Sequence, residues 1–282
     1  MMHLLMILTA LVVSWIFRSS WTNPQDNWDA RWQRTLFFFL FPPLLILMTA
    51  IALLFMGPQG KMGGLYTGWF SYALALTFLG IFSCLFATLA IQGWRSLQSA
   101  RHCPLVHLEG KQVRLLNTAA LFAGQIGFWQ PELVVSQGLL QTLSPNHVES
   151  VLAHEQGHFY YRDTFWFFWL GWVRSCTAWL PNTDALWQEL LVLRELRADS
   201  YAASQVDPLL LAESLLLVVS NGSVFSQSEI CCAALGDSVG DRLEQRIEAL
   251  LAPPNHTPEA KFPSWHGFIL ALLPLLTVIF HT

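Results

Sequence analysis

Charge is scarce in this 282-residue chain: 15 Lys and Arg and 19 Asp and Glu make up 12% of it, against about a quarter in an ordinary soluble domain. The net charge is only −4, and no run of basic residues points to direct contact with nucleic-acid phosphates. No Lys or Arg precedes the first apolar run; Arg18 follows it, which excludes the basic start of a cleaved signal peptide. The five cysteines show no C-x-x-C spacing. What the chain does have is apolar surface, with 54% hydrophobic residues, 13 Trp and 20 Phe. Such a chain cannot hide its apolar surface from water by folding on itself, so an integral membrane protein is expected.

A helix needs about 20 residues to cross roughly 30 Å of hydrocarbon. Four apolar runs approach this length: residues 2–17, Thr35 to Met56, Trp69 to Ile91 and Trp265 to Phe280. The second carries Pro42 and Pro43, which kink a helix in lipid without ending it. A fifth run, "TFWFFWLGWV" at 164–173, is closed by Arg174, and its aromatic content suits an interfacial or half-buried helix. Arg18, Arg31 and Arg34 lie between the first two runs, Arg95, Arg101, Lys111 and Arg114 follow the third, and only Lys61 separates the second from the third. The positive-inside rule then places both termini outside and residues 18–34 and 92–262 in the cytoplasm of a bacterial inner or internal membrane. The expected organisation is three transmembrane helices in 1–91, a cytoplasmic domain in 92–262 and a fourth transmembrane helix in 263–282. Cys103, Cys176, Cys231 and Cys232 fall in the cytoplasmic part and Cys84 in a span, so disulfides are not expected.

Within that domain, residues 111–140 mix β-branched and apolar residues with Gly and Pro, which reads as short strands and turns. A helix then starts at Ser144 and Pro145, an N-cap followed by proline at the first helical position. It carries "VLAHEQGHFYYRD", residues 151–163, in which His154 and His158 share one face and Glu155 is offset by about 100°. Two imidazoles so spaced can reach one zinc ion, and a glutamate beside the first can act as a base on water. The plain alternative is a helix with two surface histidines. Downstream, "LVLRELRADSYAA", residues 191–203, places Glu195 and Asp199 on one helical face. Glu195 would complete a His, His, Glu ligand set, and Asp199 could accept the free ring N–H of a ligating histidine. Here the alternative is a solvated charge cluster paired with Arg194 and Arg197. The small residues Ala198, Ala202 and Ala203 would let this helix approach the first.

The span from Gly127 to Ala203, with "GFWQPELVVSQGLLQTLSPNHVESVLAHEQGHFYYRD" followed by "RELRADSYAA", resembles the membrane metallopeptidases of the BlaR/MecR type, relatives of the HtpX and CAAX prenyl-protein peptidases; "DRLEQRIEALL", residues 241–251, resembles the helix that closes their domain. The resemblance implies a mainly α membrane protein with an α+β gluzincin-like zinc peptidase domain. It implies one catalytic Zn2+ held by His154, His158 and Glu195, with Glu155 as general base and Asp199 supporting a ligating histidine. It also implies that the strand Leu133, Val134, Val135, Ser136 receives an extended substrate by backbone pairing. For an oxyanion-stabilising group, Arg194, Arg197 and Tyr201 are candidates by proximity in sequence alone.

The antibiotic-sensing members continue past the last span into a penicillin-binding domain, whereas this sequence ends at Thr282, so sensing through such a domain is not expected. The implied substrate is a cytoplasmic BlaI/MecI-like repressor, with HtpX-like quality control of membrane proteins as the alternative within the enzyme class and a catalytically silent scaffold outside it. Besides lipid, a second partner is considered: Met1, Met2, Met6, Met48, Met56 and Met62 fall in the first two spans or at their ends. With His3 and His281 they would offer soft ligands for Cu(I) at the outer face, against the plainer role of apolar filler.

Overall fold

The computed structural model describes residues 2–22, 28–59, 61–62, 65–66, 68–108, 110–221, 243–252 and 266–280. It is mostly helical. In chain order the elements are α1 (Met2–Ser19), α2 (Trp28–Met56), the short ribbon β1 (Lys61–Met62) and β2 (Leu65–Tyr66), α3 (Trp69–Arg101), β3 (Leu105–Leu108), β4 (Lys111–Leu116), β5 (Ala123–Ile126) and β6 (Glu132–Ser136). Among the described residues six helices follow: α4 (Gln137–Thr142), α5 (Pro145–Tyr160), α6 (Asp163–Cys176), α7 (Thr183–Ala203), α8 (Pro208–Asn221) and α9 (Leu243–Leu251). The run from His266 to Phe280 alternates α and 3-10 turns. Two compact units result. The first holds residues 1–87, 173–190 and 259–282, and the second 88–172 and 191–258.

In the first unit α2 packs Ala50, Ala52, Leu53 and Met56 against Ala75 of α3, with Met6, Leu275 and Val278 alongside. Small residues at such an interface let helices approach closely, and Met6 and Met56 pack in this cluster. The side chains of Met1, Met2 and Met62, and His281, lie outside the described residues. Among the described residues two helices are long and apolar enough to cross a membrane, Ala30–Met56 and Trp69–Arg101; His3–Ser19, Pro208–Ser220 and Gly267–Ile279 are apolar but shorter.

α2 continues through Pro42 and Pro43. Proline has no N–H, so Pro43 leaves the carbonyl of Phe39 without its helical donor. Arg18 supplies one instead: its Nη2 donates to Phe39 O at 2.9 Å, and Nη1 to Thr183 Oγ1 at 3.0 Å. Asn182 Nδ2 donates to Arg18 O at 2.9 Å. Arg18 is fully buried, its guanidinium held by the carbonyl that the proline leaves without a helical donor. Glu189, also fully buried, accepts from Arg31 at 2.6 Å. These contacts tie residues 173–190 to the rest of the first unit.

The second unit is built on a four-stranded sheet of order β3-β4-β6-β5. β4 and β6 are parallel, with Arg114 opposite Val134, and the outer pairs are antiparallel, with Gly124 of β5 opposite Val134. One face packs Val113, Val135 and Leu139 against Val148, Val151 and Leu152 of α5. The other covers Val134 and Ile126 with Ala100 and Phe122. β6 is thus buried on both faces and paired on both sides. Leu133 to Ser136 therefore cannot receive a substrate strand, because every backbone group there that could pair faces a neighbouring strand. Among the described residues the free edge near α5 belongs to β5. Ser136 is structural: its Oγ accepts from Phe122 N (3.0 Å) and caps α4 by accepting from Leu139 N (3.1 Å).

Candidate metal centre

α5 begins where its sequence signals place it, with the Ser144 side chain accepting from His147 N and Pro145 in the first turn. Its apolar residues face the sheet, which turns His154, Glu155 and Gly157 inward, all three buried. Opposite lies α7, with Ala198 and Ala202 fully buried. A Cβ added to Gly157 would come within 3.1 Å of Ala198 Cα, so the two helices meet nearly backbone to backbone. Ala202 packs with Ala153 of α5 in the same seam, and Ala203 lies at its margin.

This approach brings three donors together. His154 Nε2 lies 3.1 Å from His158 Nε2 and 3.3 Å from Glu195 Oε2, and His158 Nε2 lies 3.7 Å from Glu195 Oε1. One ligand atom from each residue falls within 4.8 Å of the others. The far nitrogen of each ring faces a carboxylate: His154 Nδ1 is 2.8 Å from Asp199 Oδ1, and His158 Nδ1 is 2.7 Å from Asp163 Oδ2. Orienting both rings through Nδ1 leaves both Nε2 atoms as donors, the arrangement metal-ligating histidines adopt. Two imidazoles and a carboxylate converging with one side open fit zinc.

Three arginines hold the acids. Arg246 of α9 grips Asp199 through Nε (2.7 Å) and Nη2 (2.8 Å), and its Nη1 lies 3.3 Å from Glu195 Oε2. Arg194 donates to Glu195 Oε1 at 2.9 and 2.6 Å. Arg197 donates to Asp163 Oδ1 and lies over the Tyr161 ring, 4.2 Å from its centroid. Burial alone would raise the pKa of Glu195, but Arg194, His158 and Arg246 hold it well below the usual carboxylate range. Asp199 is likewise lowered against its burial, chiefly by Arg246. Burial pushes His154 down, yet Asp199 and Glu195 outweigh it and raise its pKa to about 10.

Asp163 and Arg246 are the members that sequence reasoning missed. Asp163 follows Arg162, whose φ of 54° reverses the chain so that α6 starts back against His158; the signal was an acid five residues after a candidate ligand. Arg246 lies inside the stretch resembling the closing helix, but nothing local marks it as buried. Glu155 lines the same cavity as His154, His158, Glu195, Arg194 and Arg246. Of the groups considered for an oxyanion, Arg194 lines that cavity, whereas Arg197 is engaged with Asp163 and Tyr201 stacks on Tyr160 at 5.1 Å.

The profile of peptidase family M48 matches residues 106–189, a stretch that contains His154, Glu155, His158 and Asp163. That match supports a metallopeptidase hydrolase. It ends before Glu195, Asp199 and Arg246, so the geometry supplies the rest of the centre independently. A comparison with curated proteins finds no match.

Proposed function

We propose that this chain is an integral-membrane zinc endopeptidase with its catalytic unit on the cytoplasmic side, and that it cleaves a BlaI/MecI-like repressor. The observation that carries the peptidase reading is the convergence of His154, His158, Glu195 and Glu155 on one cavity. A zinc ion held by His154, His158 and Glu195 would supply Lewis-acid polarisation of the scissile carbonyl. Glu155, beside His154, is placed to take a proton from the attacking water and return it to the leaving amine. Asp199 and Asp163 fix the two rings, and Arg194 and Arg246 keep Glu195 ionised. The same two arginines are the cations lining the cavity where negative charge develops on the substrate oxygen.

For substrate binding the reading uses β5. Ser136 N donates to Phe122 O at 2.9 Å, so the alternation of an antiparallel pair turns the amide groups of Ala123 and Gln125 toward the open side. An extended polypeptide adding there would run past the cavity. The membrane part of the reading is supported by α2 and α3, by the shorter apolar runs at either end of the chain and by the Lys and Arg asymmetry. The repressor rests on the BlaR/MecR-type resemblance.

The test is quantitative proteomics of cells producing the wild type or Glu155→Gln at equal zinc content. A repressor-sized soluble protein should disappear only with the wild type. Loss of membrane proteins instead would assign the HtpX-like quality-control role. Identical proteomes would overturn the peptidase reading in favour of a silent scaffold.

A further inference from the structure

The second unit carries three recesses that share walls. The metal cavity meets a second recess at Gln125. That recess lies where β4 and β6 begin and β5 ends, between Lys111, Arg114, Glu132 and Gln156. A third, against Phe128, Tyr160 and Arg162, shares Gln156 and Phe159 with the second and Thr164 with the metal cavity. The three openings therefore adjoin around the exposed end of α5.

The charge lining the second and third recesses is one-sided. Among the described residues Arg101, Lys111, Arg114 and Arg162 contribute four cations, and Glu132 is the one carboxylate, in a chain whose net charge is −4. Glu132 is already shared, accepting from Arg101 at 2.7 Å and from Arg114 at 2.8 Å. Lys111 Nζ donates to a neutral group, Gln156 Oε1, at 2.7 Å. Arg162 has no carboxylate contact among the described residues. Two cations thus face these recesses without an acidic partner among the described residues, and the surrounding side chains of Gln112, Gln125, Gln130 and Gln156 are uncharged hydrogen-bonding groups.

We propose that the second and third recesses, which share Gln156 and Phe159, together bind the carboxylate side chain of the polypeptide substrate, so that the enzyme selects an Asp or Glu at one fixed position beyond the Gln125 end of the strand paired with β5. The inference rests on the peptidase reading above. An anionic lipid headgroup would meet the same cations. The substrate is favoured because Gln125 belongs to both walls: its backbone sits on the free edge, and its side chain donates to Glu155 O at 3.4 Å. A chain extending along β5 past the metal cavity is delivered into the recess. β5 ends at Ile126, and Gly127, at φ 133°, lets the backbone turn there toward β6.

The test uses the full-length, zinc-loaded protein in neutral detergent micelles and a randomised synthetic peptide library, with cleavage sites read by mass spectrometry. Asp and Glu should be enriched at a single position. For a pair of cleaved peptides differing there by Glu or Gln, the kcat/KM ratio should favour Glu by about fivefold and fall with added salt. Lys111→Glu and Arg162→Glu should shift the preference toward Lys or Arg, an exchange of specificity that a folding defect does not produce. Cleavage without acidic enrichment, or the same enrichment in both variants, would overturn the inference. So would loss of enrichment on adding phosphatidylglycerol but not phosphatidylcholine, which would assign the recess to lipid. If the wild type cleaves nothing, the library is passed over immobilised Glu155→Gln protein. Retention of acidic peptides that Lys111→Glu abolishes would uphold the recess and count against the peptidase reading, while unbiased retention would overturn the recess.

Discussion

Gly157 and Ala198 meet across the seam between α5 and α7 so closely that a Cβ on the glycine would lie 3.1 Å from both the Cα and the carbonyl oxygen of the alanine. Those are backbone atoms and cannot rotate away. Gly157→Ala should gain about 1 kcal/mol of helix propensity and lose about 1–3 kcal/mol to crowding. The expected net result is a lower melting temperature together with weaker zinc binding, because the seam sets the spacing of the donors. A variant that melts higher and binds zinc as tightly as the wild type would show that α5 and α7 have room to spare.

The carboxylates behind the two histidines should act on metal affinity. Asp163→Asn and Asp199→Asn are each expected to weaken zinc binding by about 10- to 100-fold, measured by competition with a chromophoric chelator. Equal affinity in Asp163→Asn would remove Asp163 from the centre.

Arg246 is 4% exposed and touches both Asp199 and Glu195. Removing one partner of a buried ionic group costs about 3–5 kcal/mol, because the other charges stay buried. Arg246→Ala should therefore unfold the metal-free protein at markedly lower temperature. Arg246→Lys, which keeps the charge but loses the two-pronged grip on Asp199, should fall in between. Identical melting of all three proteins would contradict the placement of α9.

Stability of the metal-free centre should depend on pH in two directions. The pKa of His154 is raised from 6.5 to about 10, so its contribution is complete below about 6.5 and disappears as pH rises toward 10. Asp199 and Glu195 are lowered from 3.8 and 4.5, so theirs is complete above about 4.5 and disappears on acidification. Metal-free protein should melt highest between these limits. Zinc competes with the proton on His154, so apparent affinity should rise with pH over the same upper range. Melting curves of the metal-free and zinc-loaded forms from pH 4 to 10 test both signs; a metal-free midpoint independent of pH above neutrality would refute the assignment.

Ala123→Pro removes one outward amide from the free edge of β5. Proline is tolerated on edge strands, so stability should change by no more than about 1 kcal/mol while KM for an extended peptide rises. An unchanged KM would move the substrate off this edge.

How far the sequence reached depends on the range of each interaction. The Ser144 and Pro145 helix start is fixed within one turn and lies where the pattern puts it, and the i, i+4 histidines and the Glu195, Asp199 pair, each spaced within one turn, lie beside one another. Asp163 needed one conformational fact, the left-handed Arg162. Arg246 acts on Asp199 across 47 residues, a pairing that neither sequence segment encodes by itself. The strand at 133–136 illustrates a misread local signal. Its unbroken apolar run is the mark of a strand buried on both faces, and a strand of that kind is an interior one.

The contact between Arg18 and the carbonyl freed by Pro43 ties two sequence choices into one. A proline at position 43 creates a demand for a donor, and the arginine on a different helix answers it, at the same time reaching Thr183 at the start of the helix that later carries Glu195. Restoring the amide with Pro43→Ala should make Arg18 partly redundant there, so that Arg18→Met costs less in that background than alone, a coupling readable in a double-mutant cycle. The two positions are then expected to change together or not at all: a helix that keeps a proline at position 43 commits its neighbour to keeping a charge buried against it.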